Sequence, residues 1–274
     1  MPSMLLSRIS RSLLRRFRAL LPMRALLRLE YEHHFAGLQR GRLFRGVFKS
    51  FDEAAASAPK TRGIGYQQPA AARMYANDFH WIFPSDYPVI FWLSRALEES
   101  LVVADFGGNV GISFYSFEKY LRYPCGVKWI VCDVPAVVEE GKKLAGAQGR
   151  DALVFTDRFA DCDGADVFLA SGVLQYLDMP IHQKLRTLSK LPRHLIINRV
   201  PLREGEPFVT LQAMGTAFCP YQIFNAAEFI GGLTDLGYEL VDRWEAPDFP
   251  CEIPFYEKES LRAMSGLYLR RVRE

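Results

Sequence analysis

Residues Val102 to Ser113 read VVADFGGNVGIS: an apolar run of β type, an acid at its end, a glycine-rich turn, and the start of a helical pattern. A turn this bare lets a ligand approach main-chain N–H groups at the positive end of a helix. Doubly wound α/β proteins hold adenosine-type cofactors in this way. A dinucleotide site would need G-x-G-x-x-G. Here Asp105 is followed by Gly107, Gly108, Asn109 and Gly111, a D-x-G-x-N-x-G spacing. Asn109 is a tolerable departure from glycine, since Asn is among the few side chains that accept left-handed backbone angles. The competing reading is a strand-turn-helix that serves structure alone.

The elements that must position this turn follow downstream. Val127 to Cys132 reads as a second buried strand ending in Asp133, and Ala136 to Ala145 has helical apolar spacing with its charged residues outward. Asp133 therefore stands at a strand tip that faces ribose hydroxyls in a doubly wound sheet, and a carboxylate can accept from two hydroxyls at once. Leu153 to Thr156, Asp166 to Ala170 and His194 to Arg199 read as strands three to five. Asp157 follows strand three near the adenine position, and Ser171 to Leu177 (SGVLQYL) leads from strand four toward the next helix. A helix over Ala226 to Leu236 and strands near Tyr238 to Trp244 and Gly266 to Val272 would complete seven strands, the last inserted antiparallel. The sustained βαβ rhythm predicts a doubly wound, Rossmann-like, mostly parallel sheet with helices on both faces, plus an N-terminal helical extension.

In this order, RGVFKSFDEA (45–54), GIGY (63–66), YPVIFWLSRAL (87–97), VVADFGGNVGIS, CDVPAVVEEGKKL (132–144), SGVLQYL, IINRVPL (196–202) and CPYQIFNAAEF (219–229) carry a resemblance. The chain resembles a family of class I S-adenosylmethionine (SAM) dependent methyltransferases, known mostly from bacteria and often encoded beside glycosyltransferases of surface-polysaccharide assembly. The resemblance covers about Arg45 to Glu274. It implies SAM as cofactor, wrapped at its methionine end by Gly107, Gly108, Asn109 and Gly111, with Asp105 helping to orient the ammonium group. Asp133, Val134, Asp157, Ser171 and Gly172 complete the expected cofactor set. It also implies methylation of a sugar hydroxyl or another small or glycan-linked acceptor, an expectation drawn from the family's usual company.

Length and composition agree with one full core. The chain has 274 residues, 49% of them apolar. The simplest division is a basic extension (1–44), a cap on the substrate side (45–100) and a methyltransferase domain (101–274). No repeat is visible, and no apolar run is long enough to span a membrane. Cys125, Cys132, Cys162, Cys219 and Cys251 show no C-x-x-C spacing, and read as buried thiols in a reducing, cytoplasmic setting. The five histidines are scattered, so no metal site is expected.

Charge is uneven. The first fifty residues carry eleven Lys and Arg against two acids, while the rest of the chain has a net charge of −6. On a helix, Met4 to Leu21 place Leu6, Ile9, Leu13, Phe17 and Leu20 on one stripe, with Arg8, Arg11, Arg15 and Arg18 nearly opposite. That pattern fits a helix lying on an anionic membrane surface, at the inner face of the membrane, with Pro22 ending or kinking it. Packing on the domain, partner binding and a targeting peptide are the alternatives. Nucleic acid is not expected as a partner, because no basic-plus-aromatic pattern continues into the body.

Transfer of a methyl group requires the acceptor's lone pair to be held in line and, for O–H or N–H acceptors, a proton to be removed. No acid–base pair declares itself. Gln175 and Tyr176, after strand four, and His80 are the candidate catalytic residues; Trp81, Arg199, Tyr221 and Gln222 are the candidate acceptor contacts. Arg199 to Tyr221, with its prolines and glycines, reads as a long exit loop forming one wall. Two other classes remain open: a nicotinamide-dependent oxidoreductase, disfavoured by the glycine spacing, and a catalytically inactive methyltransferase fold acting as a membrane-peripheral binding module.

Overall fold

The computed structural model describes residues 21–39, 41–65 and 81–272. The amphipathic stretch of residues 4–20 and His80 lie outside the described residues. The larger sheet is built from β2 (Val102–Phe106), β3 (Lys128–Cys132), β4 (Leu153–Thr156), β5 (Val167–Ser171), β6 (His194–Val200), β10 (Tyr238–Ala246) and β11 (Met264–Arg271). Its order is β10-β11-β6-β5-β2-β3-β4. Pairing is parallel from β6 through β5, β2, β3 and β4. The last strand, β11, runs antiparallel between β6 and β10. This is the doubly wound, Rossmann-like seven-stranded sheet expected from the sequence.

Alternation along the strands divides the core. Ala104, Phe106, Phe168, Ala170, Leu195 and Ile197 face one side, where helices Ile181–Leu185 and Ala226–Thr234 contribute Leu185, Phe229 and Leu233. Val103, Trp129, Val131, Val167, Leu169 and Ile196 face the other, covered by helices Asp86–Ala96, Ile112–Phe117 and Pro135–Gln148 through Leu93, Phe114, Val138 and Ala145. Both faces are buried, so these strands are apolar throughout. Helix Ala226–Thr234 is capped by Asn225, whose Oδ1 accepts the Glu228 N–H at 2.9 Å.

The long exit loop does not exist. Residues 199–221 contain β7 (Leu202–Arg203) and β8 (Phe208–Ala213), and lead into β9 (Phe218–Asn225). With β1 (Leu43–Phe48) these form a second sheet of order β1-β8-β9-β7. All six residues of β8 are buried. The segment therefore carries neither the polar alternation of a half-exposed strand nor the composition of a solvated loop. Gly215, at φ 73°, makes the tight β8–β9 turn, in which the Met214 N–H donates to the Ala217 carbonyl at 3.0 Å. The segment 45–100 thus shares a sheet with residues from beyond β6. Helix α1 (Leu21–Gly37) docks on this sheet: Phe35 is fully buried and stacks on Phe218, the Tyr31 hydroxyl donates to the Phe44 carbonyl at 2.6 Å, and Glu32 pairs with Arg45 at 2.9 Å. Among the described residues no helix is long and apolar enough to cross a membrane. Four cysteines are buried as read from the sequence, but Cys125 is exposed, because it lies in the loop before β3 rather than in an apolar strand.

Candidate functional site

The tips of β2 and β3 lie side by side, with Phe106 in register with Cys132, so the glycine turn and Asp133 are neighbours. The turn is left-handed at Gly107 (φ 70°), Asn109 (φ 55°) and Gly111 (φ 94°), as the glycine and asparagine spacing requires. The Asn109 side chain steadies its own strained position by accepting the Val110 N–H at 2.8 Å. The Asp133 carboxylate closes the arrangement: Oδ2 accepts the Asn109 N–H at 2.9 Å and Oδ1 the Val134 N–H at 2.7 Å. These two bonds leave lone pairs free, since a carboxylate has about four acceptor positions. Burial raises the Asp133 pKa, and the two backbone donors pull it back.

Asp105 is placed differently. It shares the sheet face of Val103, so it points under the turn toward Trp129 of the adjacent strand, whose indole N–H donates to Oδ2 at 3.0 Å. Only 1% of Asp105 is exposed. Desolvation lifts its pKa to about 7, against hydrogen bonds from Trp129 and Ser113 that lower it. A Cβ at Gly108 would overlap this carboxyl, one at Gly107 would overlap Val173, and one at Gly111 would come within 2.8 Å of Leu153. The three glycines thus let Asp105, the Ser171–Leu177 segment and strand β4 close against the turn.

That segment forms the next wall. The Gly172 N–H (φ 71°) donates to the Asn198 carbonyl at 2.9 Å, placing Ser171 and Gly172 at the tip of β5 beside β6. Leu174–Tyr176 is a single 3-10 turn. Gln175 is 3% exposed, and its side-chain N–H donates to the Gly172 carbonyl at 2.8 Å. The Tyr176 hydroxyl bonds Gln212 Oε1 of β8 at 2.8 Å, and its ring meets Tyr221 edge-on. The turn after β5 therefore links the glycine turn to the second sheet.

The other expected contacts fall into two groups. Arg199, left-handed at φ 57°, pairs with Asp86 Oδ1 at 2.7 Å, and its guanidinium lies against Phe249 (4.2 Å) and Phe83 (4.9 Å), two rings that meet edge-on at 4.9 Å. Burial raises the Asp86 pKa while Arg199 lowers it. Tyr221 is wholly buried in the second sheet, edge-on to Phe44, with its hydroxyl on Met264 Sδ at 3.6 Å. Gln222, the next residue along β9, bonds the Phe208 and Ile223 carbonyls. Asp157 and Trp81 are exposed, and Asp157 directly follows Thr156, whose carbonyl accepts the Asp133 N–H at 3.1 Å. Asp86, Phe249, Trp129 and Gln212 went unread in the sequence. Trp129 was legible, since register places it on the face of Asp105. The other three depend on contacts over more than thirty residues.

No protein-family model and no curated protein sequence matches the chain. Among solved structures, it is similar to the 1,6-didemethyltoxoflavin-N1-methyltransferase of Burkholderia thailandensis with bound 1,6-didemethyltoxoflavin and S-adenosylhomocysteine. The identity is 20%, 74% of this chain and 84% of that one are covered, and the TM-score is 0.49. Magnesium protoporphyrin IX methyltransferase of Synechocystis PCC 6803 with bound S-adenosylhomocysteine is 16% identical, with 68% and 80% covered and a TM-score of 0.44. Mitomycin 7-O-methyltransferase MmcR is 17% identical, with 82% and 61% covered and a TM-score of 0.44. The fold of this chain is read from its own strand order, and the ligands and reactions of these proteins are theirs.

Proposed function

We propose that the protein is a SAM-dependent methyltransferase acting on a small-molecule acceptor. The observation that carries this reading is the β2–β3 pair of strand tips, where a left-handed D-x-G-x-N-x-G turn is stapled to an acid whose carboxylate keeps lone pairs for a ribose. Gly107, Gly108, Asn109 and Gly111 approach the methionine end, Asp133 and Val134 the ribose, Asp157 the adenine, and Ser171 and Gly172 border the sulfur. Asp105 supports the turn from below through Trp129. When bound, SAM supplies an electrophilic methyl group. The chain's own task is to orient an acceptor and exclude water, which falls to Gln175 and Tyr176, with His80 as a further catalytic candidate and Trp81 as an acceptor contact. Arg199, Tyr221 and Gln222 set the frame of the acceptor wall.

A sugar or glycan-linked hydroxyl of surface-polysaccharide synthesis is the acceptor class we infer, resting on the family resemblance. We also propose cytoplasmic residence with residues 4–21 touching the anionic inner face of the membrane, supported by their opposed arginine and apolar stripes. Calorimetric titration of the purified chain with S-adenosylhomocysteine, SAM and NAD tests the core of the proposal. Binding of the first two without NAD is expected. NAD binding alone would establish the oxidoreductase reading, and binding of none the inactive module.

A further inference from the structure

Gln175 is buried, yet its amide is half used. The side-chain nitrogen must face Gly172, because a flipped amide would set two oxygens against each other. Oε1 consequently points the other way, and among the described residues no donor reaches it although the atom is enclosed. An enclosed carbonyl oxygen without a donor is a standing cost to the fold. A leucine or methionine would fill the volume without that cost.

The position gives the orphaned oxygen a use. Gln175 lies in a turn that touches both sides of the site: Val173 packs on Gly107 of the glycine turn, and Tyr176 bonds Gln212 of the second sheet. We propose that Gln175 Oε1 receives a hydrogen bond from the methyl acceptor's own O–H or N–H, which makes the acceptor atom a protonated oxygen or nitrogen rather than a carbon or a carboxylate. An amide oxygen takes up no proton at neutral pH, so Gln175 orients this group and does not act as base. A methylated O–H product has lost the donor, so the site holds product less well than substrate. This inference rests on the methyltransferase reading.

The test uses the full chain saturated with S-adenosylhomocysteine and labelled with 15N, the Gln175 side-chain signal being assigned by its loss in Gln175→Glu. Three probe pairs are titrated: phenol and anisole, imidazole and 1-methylimidazole, methyl glucoside and its permethylated form. At least one donor-bearing member should move the Gln175 signal and bind about tenfold better than its methylated counterpart, the worth of one good hydrogen bond. Gln175→Glu, which keeps an acceptor oxygen, should preserve that preference, and Gln175→Met should abolish it. Equal response within every pair, no response included, overturns the proposal. So does a Gln175 signal already shifted by S-adenosylhomocysteine alone, which would give the bond to the cofactor. Failure of S-adenosylhomocysteine to bind at all strikes the methyltransferase reading instead, and calorimetry separates the two.

Discussion

At the residue scale, the two acids at the strand tips divide their labour by position: Asp105 lies within β2 and turns to the sheet face of Trp129, while Asp133 follows the end of β3 and bonds the glycine turn. Asp133 accepts the Asn109 and Val134 N–H groups and keeps further lone pairs, so Asp133→Ala should weaken S-adenosylhomocysteine binding by about 1.5–3 kcal/mol, the range for hydrogen bonds to a charged group. Calorimetry on a variant whose melting temperature is within a few degrees of the parent checks this, and an unchanged affinity would falsify the assignment. Asp105 faces the core, and its folded pKa of about 7 lies above its unfolded value. The folded state therefore holds the proton more tightly, and the contribution of this group to stability is greatest at acid pH, falling as pH rises from about 4 to 7. Asp105→Asn keeps an acceptor for Trp129 without the ionisation. The stability of the variant relative to the parent should climb over that window and level off above it, as read by urea unfolding between pH 4.5 and 8.5. Gly107 was read from the sequence as space for the cofactor; the structure adds that Val173 occupies the position a Cβ would take. Gly107→Val should cost about 2–4 kcal/mol from left-handed strain and overpacking. Pairing Gly107→Ala with Val173→Ala should recover part of the loss of the single Gly107→Ala variant.

At the scale of elements, the second sheet and the clasp at the tip of β6 hold the acceptor wall in place. Arg199 joins β6 to the start of helix Asp86–Ala96, where it meets both Asp86 and the Ser85 hydroxyl, and to the segment carrying Phe249. Asn198 extends the network, donating to Asp86 and accepting from Trp244. Removing one partner of a buried pair strands the other, so Arg199→Ala should destabilise the fold by about 3–5 kcal/mol in denaturant unfolding. Arg199→Lys should recover little, because an ammonium cannot reproduce a flat guanidinium packed against two rings. A loss of acceptor turnover with full stability would instead place Arg199 in direct contact with the acceptor.

At the scale of the whole molecule, the N-terminal segment is set apart from the rest of the chain by its basic charge. Helix α1 is held by Tyr31, Glu32 and Phe35, all beyond the amphipathic stretch, while Leu26 and Leu29 are exposed. Deleting residues 1–20 leaves those anchors in place. The shortened chain should bind S-adenosylhomocysteine and melt like the parent, but no longer sediment with anionic vesicles; binding by the parent should fade at high salt, as each arginine contributes about 1 kcal/mol near such a surface. A lower melting temperature on deletion, with a parent chain that ignores vesicles, would assign the segment to packing.

What the sequence determined by itself was the part governed by local chemistry and short-range periodicity. Five parallel strands, the antiparallel last strand, the helix from Ala226 and the left-handed positions of the turn were all legible, because fully buried strands are continuously apolar and left-handed turns select Gly and Asn. What only the tertiary structure decided was long-range pairing and the direction of side chains. Residues 199–221 were not read as strands, because burial of all six residues of β8 erased the alternation; β8 pairs with β9 across the short Gly215 turn, but its other neighbour, β1, lies more than 150 residues earlier. The clasp of Arg199 with Asp86 and the turning of Asp105 toward Trp129 likewise come from pairings between elements, and packing leaves Gln175 Oε1 without a donor among the described residues. Spacing says which residues share a turn or a face; which partner each polar group finds is settled when the sheets and helices pack, since a buried group is worth or costs free energy only through the neighbours that packing brings to it.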